Sequence, residues 1–582
     1  MNFDHEGIRR VRELIAVSEA YQKDRFLEAR RPDHMWKWFR GEHYAAELPL
    51  AAVDYRDQVT VNYAQRNVLL KMAQIAFGPP AFNVVPHDSQ SELKALDQKR
   101  HLEHVWREIK AYNATRRALL DTRVTGTGLC GVQWLCKTRL RTYTDQSERP
   151  EEGEKKGQEV NILLDQPHVR RVSPYSALFD PDSPDDLQAG RWMGEKIIRP
   201  LEHLRRLPKY SHIADKLKGD TRYSEKYQTS LAFYQDSDQL KAVTFYVLYL
   251  WDVGARIEWT DEVPDQLMFA GDRPEIDYPL TPDGVAYFPY VRLRGVPDGE
   301  SAYGMGDIEI AETQQVEINA ARSQLAARRR CDGSIYMADG TVMTQDLLDE
   351  IESAPDRAIV LIQKGLKPGQ KLSDVMVPLQ RQQVQPELYA TYNEAKMDMA
   401  MLTGLSMEER GLGGAEKFAT QTAMIAQTAG DRKALERVEY EEGVAEIATQ
   451  VAWLEHRWGD KERHIKAEEG WTTLRGVELA GNYSFFVEPA SMSPPSDAMD
   501  EQLWQGRLMA LAPFGASGIN LTPVIERYLQ SFDFENTEEV LGGMTDGLQF
   551  GGPEGGPGAP EGGEEEGDLS GLLSLAGAPG AA

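Results

Sequence analysis

The pattern of apolar and polar positions predicts helices and short strands in mixed order along the chain. Apolar residues recur at helical spacing in 8–30, 59–77 and 93–122, and a shorter helical piece is predicted around 201–217. Short apolar runs typical of strands lie among them and beyond, for example Phe82–Pro86 and Ala242–Trp251. The pattern therefore predicts a mixed α/β, helix-rich fold.

The most regular part of the pattern predicts three helices, and Tyr287–Arg294 is predicted as the last strand before them. The first helix spans Gly306–Arg330, the second Pro386–Thr403, and the third, much longer, ends near Trp458. The second and third have apolar residues at alternating spacings of four and three, which is typical of a packed seam. These seam residues are Leu388, Tyr392, Ala395, Met399 and Leu402, then Tyr440, Val444, Ile447, Val451, Leu454 and Trp458.

The first of these helices has a thinner apolar stripe, which Gln314, Gln315 and Asn319 interrupt. Its acidic residues lie near its start and its arginines near its end, the order that the helix dipole favours. The apolar stripe consists of Ile308, Ala311, Ile318, Ala321 and Leu325. A helix with such a mixed surface is expected to pack against several neighbours.

An insertion of about fifty residues separates the first two helices and starts at Cys331-Asp332-Gly333. Its pattern predicts a strand, a helix, a second strand and a closing apolar run, which are Ser334–Met337, Gln345–Ser353, Ala358–Ile362 and Val375–Leu379. The glycine-rich segment Gly404–Lys417 leads into the third helix. We therefore predict a hairpin of two helices with a small αβ unit at its tip.

Charge and cysteine content narrow the classes of protein. Asp and Glu number 92 against 65 Lys and Arg, a net charge of −27, which argues against tight binding of nucleic acid. It does not exclude a surface along which DNA slides. Three cysteines in 582 residues do not make a disulfide scaffold. With no signal peptide and no apolar run of about 18 residues, we expect a protein that is soluble and intracellular when made.

Three motifs resemble ligand sites but have simpler interpretations. Gly126–Gly131 matches G-x-G-x-x-G, yet a helix precedes it and a strand follows, the reverse of the dinucleotide fingerprint, so we predict a tight turn. The acidic run Asp180–Asp186 lacks EF-hand spacing and is predicted to be a solvated turn. His101 and His104 lie one helical turn apart without matching ligands and are predicted to be core or surface residues. We therefore expect no enzyme, cofactor or metal site.

The order of several short motifs resembles that of the portal proteins of tailed bacteriophages, the head-to-tail connectors. Each motif is degenerate, and their order along residues 36 to about 530 is the specific feature. The motifs are Trp38-Phe39-Arg40-Gly41 with Val61-Asn62 and Gly78-Pro79, Asp121–Gly131 with Trp134, Val172–Tyr175 with Phe179-Asp180-Pro181, Gly304 through Gln314-Gln315 and Asn319 to Arg330, and Leu402-Thr403-Gly404 with Ala419–Thr422.

The resemblance implies a division of the chain into the parts of a portal subunit. In chain order these are a wing in 1–300, an outgoing stem helix in 301–330, an αβ clip in 331–383, a returning stem helix in 384–404, a tunnel loop in 405–417, a long helix and second wing part in 418–515 and a helical crown in 516–541. Composition alone predicts that 542–582 is a disordered acidic Gly/Pro-rich tail.

The resemblance also implies partners and site residues. Portal subunits form rings, typically of twelve copies, at one capsid vertex of the virion, and are made in the host cytoplasm. Their partners are the terminase motor, the major capsid or scaffolding protein, a head-completion adaptor and double-stranded DNA that passes without sequence-specific binding; no membrane is involved. The candidate DNA-channel residues are Arg328, Arg329, Arg330, Glu408, Glu409, Arg410 and Lys417. The candidate terminase contacts in the clip are Asp349, Glu350, Glu352, Lys364 and Lys367.

Two other hypotheses remain open at this stage. The chain is alternatively a virion scaffold or adaptor protein without DNA passage, in which Gly404–Lys417 is an ordinary linker between helices. A metal- or nucleotide-dependent enzyme is the third hypothesis, although the chain has no P-loop, H-E-x-x-H or G-x-S-x-G motif.

Overall fold

The computed structural model describes part of the chain, and all of that part belongs to the unit Met1–Pro494. The described residues are 5–25, 32–44, 58–144, 156–183, 185–219, 221–222, 241–251, 254–272, 281, 284, 287–299, 301–331, 336–338, 376–378, 386–404, 419–467, 470–488 and 491–492. Over these ranges no helix is both long and apolar enough to cross a lipid bilayer.

The described residues form helices and antiparallel strands, which we number in chain order. The helices are α1 His5–Arg25, α2 Pro32–Arg40, α3 Tyr63–Ile75, α4 Ser89–Glu92, α5 Ala95–Glu108, α6 Ala111–Thr125, α7 Leu201–Arg205, α8 Asp307–Cys331, α9 Pro386–Thr403 and α10 Ala419–Trp458. The strands are β1 Phe82–Pro86, β2 Thr127–Thr144, β3 Lys156–Val172, β4 Ala177–Phe179, β5 Trp192–Pro200, β6 Thr221–Arg222, β7 Lys241–Leu250, β8 Ala255–Trp259, β9 Leu267–Asp272, β10 Tyr290–Arg294, β11 Val296–Asp298, β12 Ser301–Met305, β13 Tyr336–Ala338, β14 Met376–Pro378, β15 Arg463–Ala467, β16 Gly470–Leu474 and β17 Tyr483–Val487.

The strands form one six-stranded sheet and several smaller ones. The large sheet has the order β4-β5-β7-β8-β9, and β6 also pairs with β7. The long hairpin of β2 and β3 has β10 on its other edge, and the pairs β1–β17, β11–β12, β13–β14 and β15–β16 are two-stranded. The mixed helix-and-sheet class predicted from the sequence is therefore confirmed, with several small antiparallel sheets.

The large sheet is covered on both faces, which explains the unbroken apolar run in β7. Val247 and Tyr249 belong to a core cluster on one face. Their neighbours Tyr246 and Leu248 contact the cluster that includes α1 on the other face. Because successive side chains of a strand point to opposite faces, a strand buried on both sides has no polar alternation.

The three central helices lie where the sequence predicts them. Helix α9 has the predicted bounds, α8 begins and ends within one residue of them, and α10 ends at Trp458. The apolar stripe of α8 is buried throughout. The seam of α10 is buried from Tyr440 to Leu454, whereas Leu402 at the end of the α9 seam is 38% exposed, so the prediction is wrong there.

Two predicted helices have different limits in the structure. Residues 59–62 are not helical, because α3 begins only at Tyr63, where the Asn62 side chain accepts from Gln65 N at 3.0 Å. The predicted helix 93–122 is divided, because Lys110 has a φ of 54° between α5 and α6. A non-glycine residue in this left-handed conformation ends the regular helix.

Two further sequence predictions are also corrected. Tyr287–Arg294 is not the last strand before α8, because the pair β11–β12 follows β10. Helical structure predicted around 201–217 is limited to α7 and a 3₁₀ turn at Pro208–Tyr210.

The glycine motif at 126–131 is a tight helix-to-strand turn, as predicted. Gly126 ends α6 with a φ of 88°. A Cβ on Gly126 would lie 1.9 Å from the carbonyl oxygen of Gly304, and one on Gly128 would lie 2.1 Å from that of Ala118. Gly126 allows the backbones before β2 and before α8 to cross in contact, and Gly128 allows β2 to lie against α6; only glycine fits at these two positions.

The acidic run beginning at Asp180 is a turn stabilised by a cation from the chain itself. The Asp180 carboxylate accepts from the Arg191 backbone N–H at 2.9 Å and from its Nε–H at 3.1 Å. Burial alone would raise the pKa of Asp180, but the hydrogen bonds from Arg191 outweigh it and the pKa is lowered.

The backbone crossing at Gly126 gives a test with an internal control. We expect Gly126→Ala to lower the free energy of unfolding by about 3 kcal/mol, because it combines left-handed strain with a backbone clash. Gly299→Ala is the control, since a Cβ there meets nothing within 4 Å. Chemical denaturation of both variants checks this, and equal stabilities would contradict the close crossing.

Candidate functional site

The helical hairpin predicted from the sequence is formed by α8 and α9. The two helices pack against each other, with Ala395 and Met399 of α9 buried. At 25 residues, α8 is about 37 Å long. Beyond their far ends, Tyr336 of β13 lies opposite Pro378 of β14 in an antiparallel pair. The insertion between the helices therefore begins and ends in one small sheet.

Most of the predicted site residues lie outside the described part of the chain. Arg328, Arg329 and Arg330 are in the last turns of α8, but only their backbone is described. The other channel candidates lie in 405–418, outside the described residues; they are Glu408, Glu409, Arg410 and Lys417. The clip candidates lie in 339–375, also outside the described residues; they are Asp349, Glu350, Glu352, Lys364 and Lys367. The roles assigned to all of them stay predictions.

A row of polar side chains on α8 binds the segment that leads into α3. Gln315, Asn319 and Ser323, which we call the polar ladder, are fully buried at intervals of four residues. They face residues 58–64, where Val59 N–H donates to Ser323 Oγ at 3.0 Å and Val61 N–H donates to Asn319 Oδ1 at 3.1 Å.

Gln315, the member of the polar ladder nearest the start of α8, makes three contacts with the same segment. Its Oε1 accepts from Tyr63 N–H at 3.1 Å and from Ala64 N–H at 3.0 Å. Its Nε2 donates to Val61 O at 2.7 Å. Val59, Val61 and Tyr63 thus bond in turn to Ser323, Asn319 and Gln315, which are four residues apart on α8.

The sequence pattern alone does not reveal this role of Gln315 and Asn319, which it shows only as interruptions of an apolar stripe. The available signal was their spacing. Polar residues at intervals of four, set among buried apolar positions, place donors and acceptors in one line along a helix. Such a line can bind one extended backbone segment.

His43 extends the polar ladder toward α2. Asn319 Nδ2 lies 2.7 Å from His43 Nδ1, and His43 Nε2 lies 2.9 Å from Trp38 O. The imidazole is fully buried and stacks on the Trp38 ring, with centroids 4.4 Å apart. Burial lowers the pKa of His43, partly offset by the hydrogen bond to Trp38 O.

Four charged side chains, which we call the charge quartet, join the start of α8 to three other helices; three are buried and the fourth, Glu436, is 12% exposed. Lys71 Nζ of α3 lies 2.7 Å from Asp307 Oδ1 of α8 and 3.0 Å from Glu436 Oε1 of α10. Arg123 Nη1 of α6 lies 2.7 Å from Glu436 Oε2. Two cations balance two anions, and Asp307 is also favoured by its place at the helix N-terminus.

The histidine pair at 101 and 104 has the simple interpretation that the sequence favoured. His101 is buried and lies 3.3 Å from Glu455 Oε2, which also accepts from Arg463 at 2.8 Å. Within the described ranges no group of three or more His, Cys, Asp or Glu side chains could hold a metal ion. The polar ladder and the charge quartet, by contrast, attach α8 to several neighbouring segments.

No family model matches the chain, and no curated protein sequence does. Among solved structures, it is similar to a chain of "Virion of native gene transfer agent (GTA) particle" at 12% identity and a TM-score of 0.35. The similarity covers 78% of this chain and 86% of that one. A likeness this remote supports no argument about the present chain.

The polar ladder can be tested at its most connected member. Gln315→Leu leaves Ala64 N–H without its acceptor and Tyr63 N–H with the Val61 carbonyl alone, at 2.9 Å, so we expect the free energy of unfolding to fall by about 1–3 kcal/mol. Gln314→Leu is the matched control, because Gln314 is partly exposed, and we expect a change within about 0.5 kcal/mol. Urea denaturation compares the two, and an equal loss would show that the polar ladder has no special role.

The charge quartet gives a second test at the start of α8. Lys71→Met leaves the two carboxylates with Arg123 alone, and we expect a loss of about 3 kcal/mol in unfolding free energy. Lys99→Met is the control, since its ion pair with Glu488 is solvent-accessible, and we expect about 0–1 kcal/mol. Denaturation in low and high salt measures both. A Lys71→Met variant as stable as the control would contradict the quartet's role.

Proposed function

We propose that the chain is a portal subunit that forms a ring at one capsid vertex, through which DNA is packaged and ejected. The observation that supports this most is the order of elements: an outgoing helix α8, an insertion bounded by paired strands, a returning helix α9 and the 40-residue helix α10. The portal proteins that the sequence resembles have this order.

The attachment of α8 supports the same proposal. A helix pair that lines a channel must keep its position while DNA moves past it. The polar ladder binds the middle of α8 to residues 58–64, and the charge quartet binds its first turn to α3, α6 and α10. A force on the hairpin is thereby carried into the body of the subunit.

The net charge of −27 is consistent with a channel wall that does not bind DNA tightly. A ring of twelve copies would have several hundred negative charges in excess, and the long-range repulsion keeps phosphates from adhering. In this proposal Arg328, Arg329, Arg330 and Lys417 make transient phosphate contacts as DNA passes. Residues 405–417 act as the tunnel loop.

The proposed partners follow from the same assignment. The insertion 331–383 is the clip, which docks the terminase motor during packaging and head-completion or tail proteins afterwards. The wing contacts the capsid or scaffolding protein. The motor supplies the ATPase activity, and the chain itself has no catalytic role.

Ring formation is the first test. We expect purified protein at micromolar concentration to form rings with a central hole in negative-stain microscopy, and light scattering to give a mass near twelve copies. A strictly monomeric protein would contradict the proposal.

Charge reversal separates a portal from a scaffold or adaptor without DNA passage. We expect Glu408→Lys with Glu409→Lys and Arg410→Glu to leave ring assembly unchanged and to reduce the amount of DNA packaged. The control is Glu202→Lys with Arg206→Glu, which inverts an exposed ion pair on α7 and its flank. Equal packaging by both variants would favour the scaffold hypothesis.

A further inference from the structure

The hydrogen bonds around Asn319 fix the orientation of its side-chain amide. Oδ1 accepts from Val61 N–H at 3.1 Å and from Gln315 Nε2 at 3.1 Å. A backbone N–H can only donate, so the atom beside Val61 is an oxygen. The other amide atom, Nδ2, therefore faces His43 as a donor, 2.7 Å from Nδ1.

The protonation state of His43 follows from these neighbours. Trp38 O can only accept, so Nε2 of His43 carries a proton and donates to it at 2.9 Å. Asn319 Nδ2 can only donate, so Nδ1 of His43 is an unprotonated acceptor. The ring is therefore neutral in this structure, with a single tautomer that fits both partners.

A second proton on His43 would place two donors against each other. Nδ1–H would point at Asn319 Nδ2–H, and the amide cannot rotate to offer its oxygen without losing Val61 and Gln315. The imidazolium would also be a buried charge, since the ring is fully covered. Protonation and the closed arrangement are thus incompatible.

We propose that His43 is a pH-sensitive latch, which holds residues 58–64 and α2 against α8 while neutral and releases them when protonated. The released part includes Tyr44, whose hydroxyl lies 2.5 Å from Ser323 Oγ. The inference stands on the hydrogen-bond geometry and does not depend on the proposed portal function.

The charged groups on the elements packed around His43 do not reverse this behaviour. On α2, His34 lies near Trp38 and is bonded to Glu312 of α8 at 3.1 Å. On α8, Arg322 lies over the Tyr392 ring. Residues 58–64 contain no charged side chain. Burial is the main cause that lowers the pKa of His43, and the hydrogen bond to Trp38 O opposes it.

The direction of the pH dependence follows from linkage. The pKa of His43 is lowered in the closed state and is about 6.5 when the residue is released. The released state therefore binds the proton first. The closed state is therefore fully stable above about pH 6.5 and less stable below it. There the equilibrium constant for opening rises by up to about tenfold for each pH unit that the pH falls.

Hydrogen–deuterium exchange of the full-length protein tests the latch. After correction for intrinsic exchange rates, we expect the protection of peptides covering 58–64 to fall up to about tenfold per pH unit below about 6.5. Strand β7 serves as the internal reference. His456, whose pKa burial lowers to about 4, also responds to acid, so variants are needed to assign the effect to His43.

Two variants make that assignment. In His43→Gln the pH dependence of 58–64 should disappear, because glutamine does not titrate. In Asn319→Asp a carboxylate faces Nδ1 and accepts from the imidazolium, which raises the pKa of His43. Closure is then stabilised at low pH and lost as the pH rises, so the sign of the dependence should reverse.

Three results would overturn the latch. They are protection of 58–64 that does not change between pH 7.5 and 5 relative to β7, an unaltered dependence in His43→Gln, and the wild-type sign in Asn319→Asp. If His43→Gln does not fold, the sign in Asn319→Asp decides alone.

Discussion

The surroundings of α8 depend on hydrogen bonds that its side chains accept from the backbone N–H groups of Val59, Val61, Tyr63 and Ala64. Each of these groups needs an acceptor, because an unsatisfied buried donor costs about 1–3 kcal/mol. The side chains of Ser323, Asn319 and Gln315 accept from Val59, Val61 and Tyr63 in turn. Tyr63 N–H also donates to Val61 O at 2.9 Å. Side chains of a helix thus supply the acceptors that a neighbouring strand provides in a sheet, one to every second residue from Val59 to Tyr63.

The other contacts of α8 extend this attachment toward the ends of the helix. Before its first residue, the backbones of Gly126 and Gly304 cross in contact. At its first turn, Asp307 is part of the charge quartet, which includes Glu436 of α10. Beyond its far end, β13 and β14 close the insertion. The helix is therefore connected along its length to segments that are distant in sequence, which explains its mixed surface.

The sequence predicts what depends on local pattern and misses what depends on partners. The bounds of α9, Pro386–Thr403, follow from apolar spacing, and the turn at Gly126 follows from the order of helix and strand around it. The roles of Gln315 and Asn319 require knowing that 59–62 is not helical and lies against them. The break at Lys110 has no proline or glycine to mark it. The candidate channel and clip residues came from resemblance, and their roles stay predictions.

The central claim is that α8 and α9 line a channel in a ring of identical subunits. A cryo-electron microscopy map of the purified assembly, at a resolution that separates helices, tests it most directly. The expected map shows one α8–α9 pair per subunit around the central hole, with β13 and β14 at one rim. A ring with these helices on its outer surface, or a particle without a central hole, would contradict the account.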